Sequence, residues 1–234
     1  RDTFGMMVET RWDLFSLIGM EEPQGLSTDL QLDGYEDRGV GVGLNFNYQF
    51  GNSLGSLDTY LLSDSGTQKT SSGRELDVPK ELRGHVLWAD EHKVDQDWTL
   101  QTQLSFISDP SYMSVWRQSD YQNHNEFETG FYAKKQVDNA AFTALATYDL
   151  NQFISTSWLL ASRQYKVDSL PEIGFYSYGD SMFNGALNWS SETRLKRERL
   201  SFQSGTPASL GLLSAAFAFP NGTILGSTED IADP

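Results

Sequence analysis

The stretch VGVGLNFNYQF, residues 40 to 50, decides the fold. Val40, Val42, Leu44, Phe46, Tyr48 and Phe50 take one side of an extended chain, and Gly41, Gly43, Asn45, Asn47 and Gln49 take the other. Side chains in a strand alternate, so this spacing predicts a half-buried β-strand. What the apolar side faces, a dry core or lipid, is the question the rest of the chain has to answer.

The same alternation recurs. Residues 4–14 set Phe4, Met6, Val8, Trp12 and Leu14 against Glu9, Arg11 and Asp13. Residues 26–34 set Leu26, Leu30 and Leu32 against Asp29, Gln31 and Asp33. Residues 97–108 set Trp98, Leu100, Leu104 and Phe106 against Thr99, Gln101, Gln103 and Ser105, and residues 140–150 set Phe142, Tyr148 and Leu150 against Thr143, Thr147 and Asp149. Fainter examples lie near 56–62, 83–92, 125–135, 169–178 and 182–191. That makes about ten strands, and no stretch has a helical period, so the chain is expected to be all-β.

Connection lengths narrow the class. Short turns are expected at 35–39, 51–55, 93–96, 136–139 and 178–181, and long polar loops at 63–82, 109–124 and 155–168. From residue 40 onward short and long alternate, which places all short turns at one end of consecutive antiparallel strands. Strands of this length with that loop asymmetry predict an antiparallel up-and-down transmembrane β-barrel segment of about ten strands, part of a larger barrel. The connection 15–25 breaks the order, by a hidden extra strand or by failure of the scheme at that edge. Trp12, Tyr48, Phe50, Trp88, Trp98, Tyr148 and Trp189 fall toward strand ends, where interfacial aromatic girdles belong.

On this reading Asp29, Gln31, Asp33, Asn45, Asn47, Gln49, Gln101, Gln103, Thr143, Thr147 and Asn188 face the lumen. Val42, Leu44, Phe46, Leu100, Leu104 and Phe142 face lipid. The polar faces would line a wide aqueous interior, since a large barrel needs no packing across its middle.

Composition excludes much else. The 234 residues carry a formal net charge of −15, which argues against nucleic acid, whose phosphates need a basic surface. There is no cysteine, hence no disulfide framework or cysteine metal site. His85, His92 and His124 lack metal-ligand spacing and read as surface or turn residues; no metal and no cofactor are expected. The longest apolar run, near 210–219, is too short for a spanning helix. Arg1 at the start and STEDIADP at the end suggest a piece of something longer, and residues 1–234 read as one partial barrel domain in which 192–234 holds a loop and a further strand.

Candidate chemistry is sparse. Asp64-Ser65-Gly66-Thr67 after an apolar pair resembles an aspartic-protease half-site, but that chemistry needs two carboxylates sharing a proton and the motif occurs once. It reads as turn chemistry, and the chain is not expected to be an enzyme. Gly39, Gly41 and Gly43 lack the following helix of a phosphate cradle; glycines on the polar face leave room or allow curvature. The basic cluster 193–200 reads as a solvated strand end, or as a site for anionic lipid head groups. NWS (188–190) and NGT (221–223) are chance matches to the glycosylation sequon.

At residues 83–116, RGHVLWADEHKVDQDWTLQTQLSFISDPSYMSVW, the order Arg-Gly, a Trp-bearing strand, a short turn, DW, an alternating strand and SDPSY resembles the lipopolysaccharide-assembly outer-membrane protein family (LptD, the organic-solvent-tolerance proteins). SLPEIGFYSYGDS (169–181) and DRGVGVGLNFNY (37–48) fit the same family, and the resemblance covers about 35–195. It implies a barrel of roughly two dozen strands after a periplasmic jelly-roll domain, with a lipoprotein plug inside. Lipopolysaccharide would arrive from a periplasmic bridge protein and leave into the outer leaflet through a gap between the first and last strands, at the cell outer membrane. The partners implied are lipopolysaccharide, outer-membrane lipids, the plug and the bridge. Lipopolysaccharide is itself anionic, so divalent cations or basic residues elsewhere are expected to offset the acidic charge. Two rival readings are a general outer-membrane porin, and a soluble β-sandwich binding carbohydrate in which residues 40–50 and 97–106 pack sheet on sheet.

Overall fold

The computed structural model describes residues 4–66, 68–69, 75–76, 82–109, 111–122, 127–151 and 165–202. The chain is all-β. Ten strands form one antiparallel up-and-down sheet in which each strand pairs with its neighbours in sequence. They are β1 (Met7–Asp13), β2 (Leu26–Tyr35), β3 (Gly39–Phe50), β4 (Ser53–Asp64), β7 (Leu82–Lys93), β8 (Trp98–Ile107), β9 (Thr129–Val137), β10 (Ala140–Tyr148), β11 (Tyr165–Met182) and β12 (Leu187–Phe202). Two-residue strands β5 (Gln68–Lys69) and β6 (Glu75–Leu76) pair with each other inside the β4–β7 connection. The sheet is not closed: β1 and β12 stand at its two edges.

Short connections at 51–52, 94–97, 138–139 and 183–186 share one end, here the turn side, and the connections 65–81, 108–128 and 149–164 share the other, the loop side. The β1–β2 connection lies on the turn side yet is long. It holds no strand among the described residues; instead a single helical turn, α1 (Leu14–Leu17), follows Asp13, whose Oδ1 accepts from the Ser16 N–H at 2.6 Å. Two further one-turn helices, α2 (Tyr112–Trp116) and α3 (Gln118–Gln122), follow β8.

The turn expected at 178–181 is not a turn. The register shifts between Ser177 and Asp180, Gly179 takes φ +77°, and β11 runs on to Met182. This is a β-bulge, which uses the same residues as a turn but lets the strand resume. The reversal comes in the four-residue connection 183–186, where Phe183, Asn184 and Gly185 all take positive φ (52°, 56° and 90°) and the Gly185 N–H donates to the Met182 carbonyl. A second bulge lies between Ser169 and Glu172 and contains Leu170-Pro171, so that dipeptide sits inside β11.

The strands are staggered. The ladder row through Asn47 runs to Ser56, Ala89, Gln103, Gly130, Thr147, Ser169 and Glu198. It meets β3 three residues from the turn-side end at Phe50, and β12 eleven residues from the turn-side end at Leu187. A growing offset of this kind means that the strands are tilted across the sheet, as they are in a barrel wall.

The sandwich alternative is not met. Residues 40–50 and 98–107 belong to the same sheet, and the apolar side of β3 points away from the packed cluster, with Val40 67% exposed.

Candidate functional site

Residues directly opposite in adjacent strands share a face, so the register sorts every side chain. Asp29 faces Asn45, which faces Asp58. Gln49 leads through Leu54, Glu91, Gln101, Tyr132, Leu145 and Glu172 to Lys196. By this rule and by alternation along each strand, the eleven residues expected on the lumen side lie on one face, called inner here, and Asn188 joins them through Arg194. The six expected on the lipid side, Val42, Leu44, Phe46, Leu100, Leu104 and Phe142, lie on the outer face. All seven girdle aromatics are also outer. Trp88 sits mid-strand rather than near an end, its Nε1–H donating to the Tyr48 hydroxyl at 3.0 Å; that hydroxyl in turn donates to Asp90 at 2.7 Å.

The inner face is not uniformly open. On the loop side Tyr35, Tyr60, Leu62 and Ile107 pack with Tyr112 and Met113 of α2, and Phe4, Trp116 and Phe127 border the cluster. Asp33 is therefore not a water-facing liner: it is buried, and its Oδ2 accepts from Tyr60 at 2.8 Å and Gln31 at 2.6 Å. Gly41 is what admits Tyr60, since a Cβ there would lie 2.0 Å from the phenol oxygen. The glycines of the opening stretch thus make room, but for a packed tyrosine rather than for water.

Above this cluster runs a buried chain of charges. Arg38 clamps Asp64 through Nε (2.7 Å) and Nη2 (2.5 Å); Arg83 reaches the same carboxylate through Nη1 (2.9 Å) and clamps Asp109 through Nε (2.9 Å) and Nη2 (2.8 Å). All four side chains are buried, which is sustainable because the charges alternate and the oxygens are satisfied. Burial alone would raise the Asp109 carboxyl, but Arg83, Ser111 and Ser108 hold it below the ordinary carboxylate range. Asp64, the protease lookalike, has its carboxylate taken by two guanidiniums and the Gly66 N–H.

One layer deeper, Asp58 accepts from Arg117, and His85 Nε2 lies 3.1 Å from Asp58 Oδ1. His85 Nδ1 is 2.9 Å from the Tyr112 hydroxyl. His85 is thus a buried core residue, contrary to the surface placement expected; His92, half-buried, meets Ser53 at 2.6 Å, and His124 lies outside the described residues. Burial pushes the Tyr112 phenol up.

On the turn side the inner face opens into a recess of about 930 Å³. Asn47, Gln49, Gln101, Gln103, Glu91 and Tyr132 are among its lining residues. Leu54, Leu145 and the Tyr132 ring stand among these amides, so the lining is mixed polar and apolar; no group of three or more metal-ligating side chains occurs among the described residues.

The charged chain had a signal in the sequence that strand alternation does not carry. Arg83-Gly84 follows Arg38-Gly39 by 45 residues, and Ile107-Ser108-Asp109 follows Leu62-Ser63-Asp64 by the same 45. Each hairpin opens on Arg-Gly and ends on an aspartate that accepts its own arginine, so the motif is a duplicated clasp. The basic cluster 193–200 lies within β12 and is exposed on both faces. No helix among the described residues is long and apolar enough to cross a membrane, which leaves strands untested. Neither family models nor curated proteins match this chain.

Proposed function

We propose that the chain is a wall segment of an outer-membrane β-barrel of the lipopolysaccharide-assembly kind, and that it helps carry lipopolysaccharide to the outer leaflet without enzymatic chemistry. The observation that carries this reading is the outer face. Val42, Leu104, Phe131, Phe142, Phe175 and Leu195 are all exposed there, from β3 to β12. Soluble monomers rarely expose apolar side chains across so many strands of one face; in lipid that is the expected surface of a barrel wall. The turn half of the inner face opposite carries Asn47, Gln49, Gln101 and Gln103, and the staggered strands fit a tilted wall. The open edges at β1 and β12 would be paired in a closed barrel, because backbone groups in lipid must all be bonded.

The cargo rests on the residues that resemble the family. Arg83, Asp109, Ser111 and Tyr112, dispersed over the motif RG…SDPSY, come together in one cluster with Arg38 of the DRG motif. Plug lipoprotein and periplasmic bridge belong to this proposal as partners.

The test uses the full-length protein, with single cysteines at Leu44 and Asn45 and any others removed. Labelling of position 44 by a lipid-soluble thiol probe and of 45 by a water-soluble one is expected. Protection of 44 from both in a soluble protein would overturn the membrane reading. Depletion of the protein in its host should lower lipopolysaccharide at the cell surface; undiminished display would leave a barrel with another cargo.

A further inference from the structure

We infer that Asp90, Tyr48 and Trp88 form a site on the outer face that takes the ammonium of a lipid head group of the ethanolamine kind, near the turn-side boundary of the membrane. The inference rests on the membrane reading above. Asp90 is out of place on that face. From β1 to β10 of the large sheet, the register puts no other strand carboxylate there. An ionisable group on a lipid-facing surface is costly, and the cost falls toward the interfaces. Asp90 lies three residues from the turn-side end of β7 at Lys93, and Trp88, too far along the strand for a girdle, stands beside it.

Three strands build the group. Tyr48 of β3, Gly55 of β4 and Asp90 of β7 occupy one ladder row. Gly55 leaves the way clear: a Cβ there would come within 2.3 Å of the Tyr48 hydroxyl, so a side chain would push the ring aside. The phenol therefore crosses β4 and donates to Asp90 Oδ1 at 2.7 Å, while its oxygen accepts the Trp88 Nε1–H at 3.0 Å. This relay gives the hydroxyl one direction in which to donate, and it positions the carboxylate. Asp90 Oδ2 has no partner among the described residues. All three side chains are half-buried, so the group is reachable from outside.

The opposite charge has to come from outside the wall. Asp90 stands mid-sheet, with β4 and β8 paired on either side of its strand. The two basic side chains on the outer face of these strands are engaged elsewhere: His92 meets Ser53 at 2.6 Å, and the Lys135 ammonium lies 5.5 Å from the Trp98 ring centroid. Lys135 shows what an aromatic face on this surface does with an ammonium. Trp88 and Tyr48 offer rings of the same kind beside a carboxylate, and a cation that meets both gains from each. A primary ammonium carries three donors, one for Oδ2 and the others for water or lipid phosphate. Around the group Phe50, Leu104 and Phe131 are exposed on the same face, continuous with the apolar band that acyl chains would cover. A lipid head group brings the charge and the chains together.

The experiment uses the full-length protein with its partners, reconstituted into vesicles of mixed phosphatidylethanolamine and phosphatidylglycerol. After gentle extraction, native mass spectrometry counts the lipids retained. The wild type should keep the ethanolamine lipid in several-fold excess, and the excess should vanish when N-acetylation removes that lipid's positive charge. Asp90→Asn should abolish the excess. Asp138→Asn, which removes the same charge from an exposed turn residue of left-handed backbone (φ 49°), should leave it intact. Folding is checked by heat-dependent gel mobility; the N-acetyl arm needs no variant and decides the matter if Asp90→Asn does not fold. Equal retention of the two lipids by the wild type, or an excess that survives N-acetylation or a folded Asp90→Asn, overturns the proposal. So does a protein partner held there in place of lipid and released by Asp90→Asn. Failure of the protein to insert in vesicles instead overturns the membrane reading on which the proposal rests.

Discussion

Leu54 and Leu62 belong to the same strand, β4, and the same inner face, yet Leu54 is 58% exposed and Leu62 is 0% exposed. Alternation treats them identically. What separates them is the segment 111–117, which lies over one and stops short of the other. The turn side of the inner face is an open recess of amides and leucines; the loop side is a core, with tyrosines, a methionine and alternating charges packed between sheet and loop. One face of a single sheet thus holds a packed core at one end and an open recess at the other.

The difference is sharpest at Arg83, a buried arginine with no equivalent on the turn side among the described residues. Arg83→Ala leaves Asp109 without its arginine and Asp64 with Arg38 as its one remaining arginine partner, all buried. Breaking a buried pair from one side costs about 3–5 kcal/mol. Thermal unfolding should register this as the largest loss of any single substitution considered. Lys at this position should not restore it, because a point charge cannot make the forked contacts to Asp109. A melting temperature unchanged by Arg83→Ala would mean that the chain of charges does not hold the loop side together.

Truncation of the two leucines isolates depth from face. Leu62→Ala removes a fully buried side chain and should cost about 2–5 kcal/mol, whereas Leu54→Ala should stay within about 0.5 kcal/mol. Denaturant unfolding of both variants measures the contrast directly. Equal losses would show that the interior is packed along its whole length.

These cases mark how far the sequence could be read. Period two is a local property, so the faces of Asn45, Gln101 and Phe142 were legible from neighbours alone. Burial of Asp33 and His85 was not, since it depends on Tyr60 crossing Gly41 and on Tyr112 arriving from a connection that reads as polar loop. Turn chemistry at Gly179 and Asp180 was visible too. Whether such residues reverse the chain or only bulge it depends on how far β12 extends as a partner, which no local pattern encodes. The repeated Arg-Gly and Ser-Asp at a spacing of 45 was available, but becomes informative once each arginine is seen to close its own hairpin.

Glycine tests the packing of the inner cluster more gently, against an open position on the outer face. Gly41→Ala drives a Cβ to 2.0 Å from the Tyr60 hydroxyl, whereas Gly34→Ala meets nothing within 4 Å. Overpacking at the first should cost about 1–3 kcal/mol, and the second should leave the melting temperature nearly where it is. If Gly41→Ala proves harmless, Tyr60 has room to turn away and the packed cluster is looser than its burial indicates.

A pH-dependent effect divides the loop side itself, where Asp109 and Asp149 are shifted in opposite directions. Asp109 is pulled below the ordinary carboxylate range, because Arg83 and two hydroxyls outweigh its burial. Asp149 is pushed above it by burial, which the Asn151 N–H and Lys166 do not fully offset. An unfolded aspartate titrates near pH 3.9, or about 4. The contribution of Asp109 is therefore complete above about pH 4 and is lost as pH falls through its depressed value. That of Asp149 runs the other way: it is present while the group is protonated and is lost as pH rises from about 4 through the raised value. Asp109→Asn should flatten the acid limb of a melting-temperature profile and lower stability at neutral pH. Asp149→Asn should raise stability at neutral pH while leaving the acid limb in place, since its amide oxygen can still accept the Asn151 N–H now 2.8 Å away. Parallel profiles for the two variants would mean that the clasp and the β10 end share one electrostatic environment, and that Arg83 does not single out its own aspartate.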